Sequence, residues 1–400
     1  MKKHLLSLAL LAGTVAGCQQ TKPTVSGVPE PLPAQSFKRD WSANLQLNKD
    51  DSIDRVFVRE DLVFVYSKKH MAYAVNKAGG VIRFTCFLTD STVKPHPPVV
   101  LKERIVFPTD STLEVYRRDG QFERSYRTNS SLRTDAVGWT GGSRMFFGVD
   151  SPGSGRLVAV ETSPGTYKPV TQKWELMSTK GQSISSAPAF NAGIVYASFE
   201  DGMVYAVNAD NREPIWATST GQVFQTYGPV TAALRADDFG VYVPSTDSKF
   251  YCLDKTQGRV KWQYFAGSSL KDDPEVTATM VYLPVFGRGI VAIDKLNGPA
   301  IREPRWICKD AVKLVSEDEK YAYFARADNI VIAIDKQTGE QRFTSKRNDL
   351  VAFATNTKDG TIYAGTKGGE VIAITPVLKP GNVGEIAMDL SRPVEMLAMK

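Results

Sequence analysis

The side chains best able to do chemistry are sparse and scattered. Of three histidines, His4 falls in the first apolar segment, while His70 and His96 stand alone. No His/Cys/Asp cluster has zinc-ligand spacing, and no acidic loop has the pattern that wraps calcium. No Gly-x-Ser-x-Gly elbow presents a nucleophile. The glycine-rich stretch Gly153–Leu157 has no Lys-Ser/Thr ending and no helix after it, so it reads as a hairpin and not as a phosphate cradle. Asp254, Asp294 and Asp335 each occupy the same place in a recurring phrase. A recurring acid at a strand end points to a hydrogen bond that closes a turn, not to acid–base work. Cys252 takes a small-residue slot held by alanine in other copies of that phrase, and Cys86 and Cys308 each follow an aromatic residue by two positions. These are packing positions for a small apolar side chain. With Cys18 set aside the count is odd, so at least one of the three lacks an internal disulfide partner. The expectation is no catalytic residue, no metal ligand and no cofactor.

Cys18 is placed differently. Residues 1–17, MKKHLLSLALLAGTVAG, carry two lysines, an apolar run from Leu5 to Ala16, and a small residue just before the cysteine. This is the layout of a secretory leader, too short to remain as a membrane-spanning helix. The ending Val15-Ala16-Gly17-Cys18 resembles a bacterial lipobox, which implies cleavage before Cys18 and lipid attachment to it. Gln19 follows, where aspartate often marks lipoproteins retained in the inner membrane. The resemblance therefore implies an outer-membrane anchor facing the periplasm. Residues 18–36 are rich in Pro, Thr and Ser and poor in large apolar side chains, the composition of a tether. The formal charge of +6 includes Lys2 and Lys3 of the leader, which leaves no case for a nucleic-acid partner. No later apolar run is long enough to cross a bilayer.

A tetrapeptide phrase recurs through the rest of the chain. It appears at Tyr73–Asn76, Leu113–Tyr116, Val158–Glu161, Tyr205–Asn208, Tyr251–Asp254, Val291–Asp294, Ile332–Asp335 and Ile372–Thr375. These eight copies are spaced 40 to 47 residues apart. A period of that length signals a propeller or a solenoid. In Ser186–Gly221 four short runs alternate apolar with polar or small residues: Ala187–Phe190, Ile194–Phe199, Met203–Asn208 and Pro214–Thr218. Turn residues separate them, and helical periodicity is absent, so the unit reads as a four-stranded antiparallel blade. An aromatic residue follows most copies: Phe84, Tyr126, Trp174, Trp216, Trp262, Trp306 and Phe343. The eighth copy has none after it, yet Trp41 stands alone near the mature N-terminus. The expected fold is all-β: an eight-bladed propeller over residues 37–375, closed by the strand around Trp41, with residues 376–400 as a tail. Periodic tryptophans of this kind suit inter-blade packing better than sugar stacking.

The phrase Gly-x-Val/Ile-x-Ala-Ile-Asp-x-x-Thr-Gly-x-x-x-Trp resembles the PQQ-like β-propeller repeat, and Asp254–Trp262 and Asp335–Gly339 carry it most fully. The resemblance spans roughly Trp41 to Thr375. One branch of that family comprises quinoprotein dehydrogenases, which commonly set adjacent disulfide-bonded cysteines beside the quinone; no two cysteines here are adjacent. Another branch comprises lipoproteins of the β-barrel assembly machine, which share the lipobox, the length and the eight-bladed ring without a quinone site. Ser186–Phe190 is similar to their blade start, and the loops flanking that blade carry their partner surface. The departures are in those loops. Ser178–Ile184 lacks the expected Leu- and Arg-bearing run, and Gln222–Tyr227 lacks the expected acids. The resemblance implies a non-enzymatic scaffold binding envelope proteins, among them a β-barrel assembly machine. The alternative is a quinone- or carbohydrate-binding propeller or a diverged quinoprotein enzyme. The candidate partner-binding residues are Lys180, Phe224 and Tyr227, on the face where the longer blade-to-blade links emerge.

The leader reading predicts that Cys18→Ser abolishes incorporation of labelled palmitate and releases the protein from salt-washed membranes. Lipid label retained by that variant would remove Cys18 as the anchor.

Overall fold

The computed structural model describes residues 37–377, apart from short stretches at 90–94, 140, 151–154, 163–169, 217–223, 227, 300–302 and 346. The leader, the tether and the tail beyond 377 lie outside the described residues. Strands account for the regular structure: eight antiparallel sheets, each a four-stranded meander. Blade 1 is built from Ile53–Arg59, Leu62–Ser67, Met71–Asn76 and Ile82–Phe87, and blade 4 from Ala189–Asn191, Ile194–Ser198, Met203–Asn208 and Pro214–Trp216. Blade 4 carries one extra short strand, Phe224–Gln225, which pairs with Met203–Val204 on the side already bordered by Pro214–Trp216. Blade 8 contains Leu350–Phe353, Ile362–Thr366 and Glu370–Pro376, and its fourth strand is Phe37–Asn44, with Trp41 opposite Ala373.

The burial pattern explains why the middle strands read as nearly continuous apolar runs. Leu62–Ser67 is buried at every position. One set of its side chains, Val63 and Val65, packs with Ala373 and Tyr363 of blade 8; the other set, Phe64 and Tyr66, packs with Ile105 and Phe107 of blade 2. A strand sandwiched between two neighbouring blades has no solvent face, so it is mostly apolar, and its polar groups are hydrogen-bonded, Tyr66 to His96 O and Ser67 to Met71 N. Outer strands keep the alternation, as in blade 5, where Val260–Phe265 is mostly exposed apart from Trp262 and Tyr264.

The aromatic residues seat each blade on the next. Trp41 Nε1 donates to Lys77 O of blade 1 at 2.9 Å, and Trp174 Nε1 to Ala209 O at 3.1 Å. Trp216, Trp262 and Trp306 donate in the same way to the carbonyls of Lys255, Lys295 and Lys336, at 2.9, 3.0 and 3.0 Å. Each accepting residue follows the repeat Asp or Asn, whose side chain closes the turn. Asp254 Oδ1 accepts from the backbone N–H groups of Thr256 and Gln257, and Asp294 and Asp335 do likewise. In most of these turns a glycine takes the left-handed position and the ring lies flat against it; in the turn that receives Trp174 that position is held by Arg212, at φ 66°. A methyl group on Gly80, Gly258 or Gly298 would come within 2.6–2.7 Å of Trp41, Trp216 or Trp262. Phe84 meets Gly120 in this way without an N–H to donate, and Phe343 packs on Phe37 and Tyr323.

Blade 2 departs from the alignment read in the sequence. Its third-to-fourth-strand turn closes from Arg117 N to Gln121 O, one residue tighter than Asn76 N to Val81 O in blade 1. The equivalent of Ala74 is therefore Val115, not Glu114. The residue opposite Val115 is Arg124, while Tyr126 faces Leu113. Tyr126 packs at the edge of the core shared by blades 2 and 3, and the aromatic slot itself holds an arginine.

Trp262→Ala is expected to cost about 3–5 kcal/mol, as for other buried aromatic truncations. Trp262→Phe keeps most of the packing and should cost about 1 kcal/mol for the lost hydrogen bond. Urea unfolding of the two variants would separate them, and a Trp262→Phe variant as stable as the parent would mean that the indole N–H is not part of the seat. Removal of residues 37–47 should destabilise more than either, since it strips the strand paired to Glu370–Pro376.

Candidate functional site

Two regions are able to receive a partner or ligand: the face carrying the long blade-to-blade links, and the central channel. On the long-link face the segments holding Lys180 and Phe224 converge on one hairpin of blade 4. Ser178 Oγ donates to Asp201 Oδ2 at 3.1 Å, and Thr179 N donates to the Tyr205 hydroxyl at 3.0 Å. From the other side Phe224 pairs with Val204 and Gln225 with Met203. Both segments therefore flank Phe199–Tyr205. Lys180 itself is exposed at a tight turn completed by Gly181. Ile184, fully buried, bridges to Phe199 and fixes the base of the loop. Phe224 is placed here by its backbone register, and Tyr227 lies outside the described residues.

The loop floor is further clamped by Arg133, which donates to Asp150 of blade 3 at 2.9 Å and also to Glu200 of blade 4. The hydrogen bonds to Asp150 and Glu200, and their charges, raise the Arg133 pKa above its ordinary value. Nearby, His96 Nδ1 lies 2.7 Å from Asp135 and Nε2 lies 3.4 Å from Asp110, so the imidazole joins two adjacent blade links. The result is a set of loops held in place by the ring beneath them, with Met177 also exposed beside Lys180. The sequence marks Arg133 as an exposed-looking basic residue of this face but not its ion pairs, because Glu200 lies on another blade, and it does not mark Met177.

The first strands of the blades line a central channel of about 1430 Å³. Arg59, Arg235, Glu275 and Lys313 stand on it. Arg235 Nη2 is 3.5 Å from Asp273 and 3.8 Å from Glu275, and Lys313 Nζ donates to Phe353 O at 2.7 Å. Enclosure by the ring raises the Glu275 carboxyl, against the pull of Arg235 and Lys313. The same enclosure lowers Lys313 and Arg59. No periodic signal marks these four residues in the sequence, since four separate blades contribute them. The cations are answered by carboxylates and a carbonyl, so the channel floor is a compensated polar network.

The remaining candidates for chemistry are structural. A side-chain hydrogen bond from Thr256, with backbone bonds from Gln257 and Thr256, holds the Asp254 carboxyl below the usual range, as expected of a turn-closing carboxylate. Cys86, Cys252 and Cys308 are free and buried within the blades. No cysteine and no tryptophan stands among the described channel-lining residues. The described residues therefore do not fit a quinone held beside adjacent disulfide-bonded cysteines. Nor, among them, is any group of three His, Cys, Asp or Glu placed to hold a metal ion.

Burial pushes the Cys86 and Cys252 thiols up to about 12 and raises Cys308 as well. The folded protein should therefore resist thiol-specific labelling at neutral and mildly alkaline pH, and all three cysteines should react once urea unfolds it. Rapid labelling of native protein would contradict this packing.

A family profile described as outer membrane protein assembly factor BamB matches residues 36–223 and 200–312. No curated protein sequence matches the chain. Among solved structures, BamB from Moraxella catarrhalis is similar at a TM-score of 0.61 and 16% identity, covering 85% of this chain and 97% of that one. The computationally designed Ika8 protein is similar at 0.61 and 14% identity, covering 85% and 99%. Quinohemoprotein alcohol dehydrogenase from Comamonas testosteroni is similar at 0.60 and 12% identity, covering 86% and 78%. At such identities the structures share the propeller fold, and a fold that serves both an assembly factor and a dehydrogenase does not by itself decide catalysis. The profile extends over more than half of the sequence, and the chain belongs to the BamB family of PQQ-like β-propellers.

Proposed function

We propose that the protein is a non-enzymatic scaffold, anchored by lipid on Cys18 to the periplasmic side of the bacterial outer membrane, that binds protein partners in the assembly of outer-membrane β-barrels. The observation that carries this reading is the convergence of the Ser178–Ile184 loop and the Phe224–Gln225 strand on the Phe199–Tyr205 hairpin. Binding residues concentrate on loops held by a rigid scaffold, and aromatic anchors carry much of an interface's energy. Membership of the BamB family supports an assembly partner as the occupant. In the channel, Arg235 is engaged with Asp273 and Glu275, and Lys313 with a backbone carbonyl.

Lys180→Glu combined with Phe224→Ala and Tyr227→Ala should abolish crosslinks to the main envelope partner in native membranes and leave the melting temperature unchanged. Crosslinks that persist would move the partner to another face. Titration calorimetry with pyrroloquinoline quinone and calcium should show no stoichiometric binding, and a one-to-one complex would favour the quinoprotein alternative.

A further inference from the structure

Charge on the outer strands is distributed unevenly around the ring. Blades 8, 1 and 2, which are consecutive, carry Lys38, Arg39, Arg83, Arg124 and Arg127 on their outer strands, all exposed. The opposing acids on those strands are Asp40 and Glu123. Glu123 accepts a 2.6 Å hydrogen bond from the buried Arg104, and Asp40 is engaged by Thr375 and lies 3.7 Å from Lys38. Arg83 and Arg127 make no ion pair among the described residues. The outer-strand cations elsewhere are all engaged. Lys173 pairs with Glu161 at 2.9 Å, Arg342 with Glu340 at 2.8 Å, and Lys261 donates to Phe239 O at 2.6 Å.

Two further features fall on the same wall. Phe87 and Phe122, on the outer strands of blades 1 and 2, are 56% and 51% exposed. The outer strand of blade 2 is also the most open of the ring, because Arg124 occupies the slot where the other blades seat an aromatic. The chain enters the fold at Phe37, on the outer strand of blade 8. Between Cys18 and Phe37 lie nineteen peptide steps. At full extension they reach at most about 65 Å, so an anchor on Cys18 would keep Phe37 within that distance of the bilayer and leave this wall able to touch it.

We propose that the outer wall of blades 8, 1 and 2 is a membrane-contact surface that binds anionic phospholipid headgroups, with Arg83, Arg124 and Arg127 on the phosphates and Phe87 and Phe122 at the interface. Basic side chains are attracted to an anionic bilayer, and exposed aromatic rings add to this when they enter the headgroup region. The proposal rests on the lipid-anchored reading for its orientation, but not for its binding chemistry. In this arrangement the ring stands edge-on to the membrane, and the long-link face around Lys180 stays open to the periplasm.

The test uses the mature chain from Gln19, exported behind an ordinary cleavable leader, so that no lipid is attached. It should co-sediment with vesicles of phosphatidylethanolamine and phosphatidylglycerol, and at least about tenfold less with phosphatidylcholine alone, the difference fading at high salt. Arg83→Glu with Arg127→Glu should weaken anionic binding by about tenfold or more while melting as the parent does. Lys261→Glu with Arg342→Glu, on blades 5 and 7, should leave it unchanged. Equal binding to both vesicle types, an unaffected Arg83/Arg127 variant, or no sedimentation with anionic vesicles would overturn the proposal. So would loss of a protein crosslink in the Arg83/Arg127 variant without any lipid binding, which would give the wall to a protein. Because the anchor is absent from this chain, failure here leaves the role of Cys18 to the palmitate experiment.

Discussion

The structure depends on how one aromatic ring seats on the turn of the next blade. Each blade alone is a four-stranded meander whose two faces are both apolar, and such a sheet cannot exist in water without neighbours on both sides. The seat joins three requirements at a single turn. An Asp or Asn side chain closes it, a glycine in the left-handed region leaves room for a flat ring, and the carbonyl between them accepts the indole N–H. A buried indole with no acceptor is a lost hydrogen bond. A methyl group on Gly80, Gly258 or Gly298 would collide with the ring, whereas the turn that receives Trp174 holds Arg212 in the left-handed position and keeps the indole hydrogen bond. Trp41 belongs to this set, since its N–H reaches Lys77 O across the junction between the two ends of the chain. The first and last described segments are thereby tied by the same contact used inside the ring.

Most of this was legible in the sequence because the seat is written in three residue types at fixed offsets. The Trp, Gly and Asp of the phrase could be aligned by eye, and the four-strand unit followed from turn residues at short intervals. Blade 2 shows where such reading runs out. Its third strand, Thr112–Arg117, alternates apolar and polar residues, so a phrase aligned one residue early puts Glu114 in the slot that Val115 fills. The difference lies in a shortened turn at Arg117–Gln121, and it becomes visible only when Arg124 is found opposite Val115. The channel was illegible for a different reason. Arg59, Arg235, Glu275 and Lys313 come from strands of four blades, and nothing local distinguishes them from surface charges.

The same constraint separates the parts of the ring that can vary from those that cannot. Second and third strands are fixed by packing on both sides, and the turns that receive the rings are fixed by the seat. What remains is the blade-to-blade links, the outward side of the fourth strands, and the channel lining. Each carries a distinct kind of polarity. The links around blade 4 are pinned to the Phe199–Tyr205 hairpin and present Lys180 outward. The channel groups answer one another, which costs less than leaving buried charges unpaired. The outer strands of blades 1 and 2 hold Arg83 and Arg127, which make no ion pair among the described residues.

Blade 2 joins these observations. Elsewhere the fourth strand is tied to its neighbour through an aromatic ring, and its inward side is spent on that contact. In blade 2 the ring is absent, and Phe122–Arg127 is exposed at five of its six positions. Replacing the ring with arginine gives up packing that the other blades retain, a loss on the order of the aromatic truncation itself. A closed ring can bear one weaker junction because the others are intact and neither end is free to open. The arginine also turns an outer strand otherwise committed to its neighbour into a surface facing water. The weaker junction, the exposed Arg83 and Arg127, and the strand at which the described chain begins all fall within three adjacent blades.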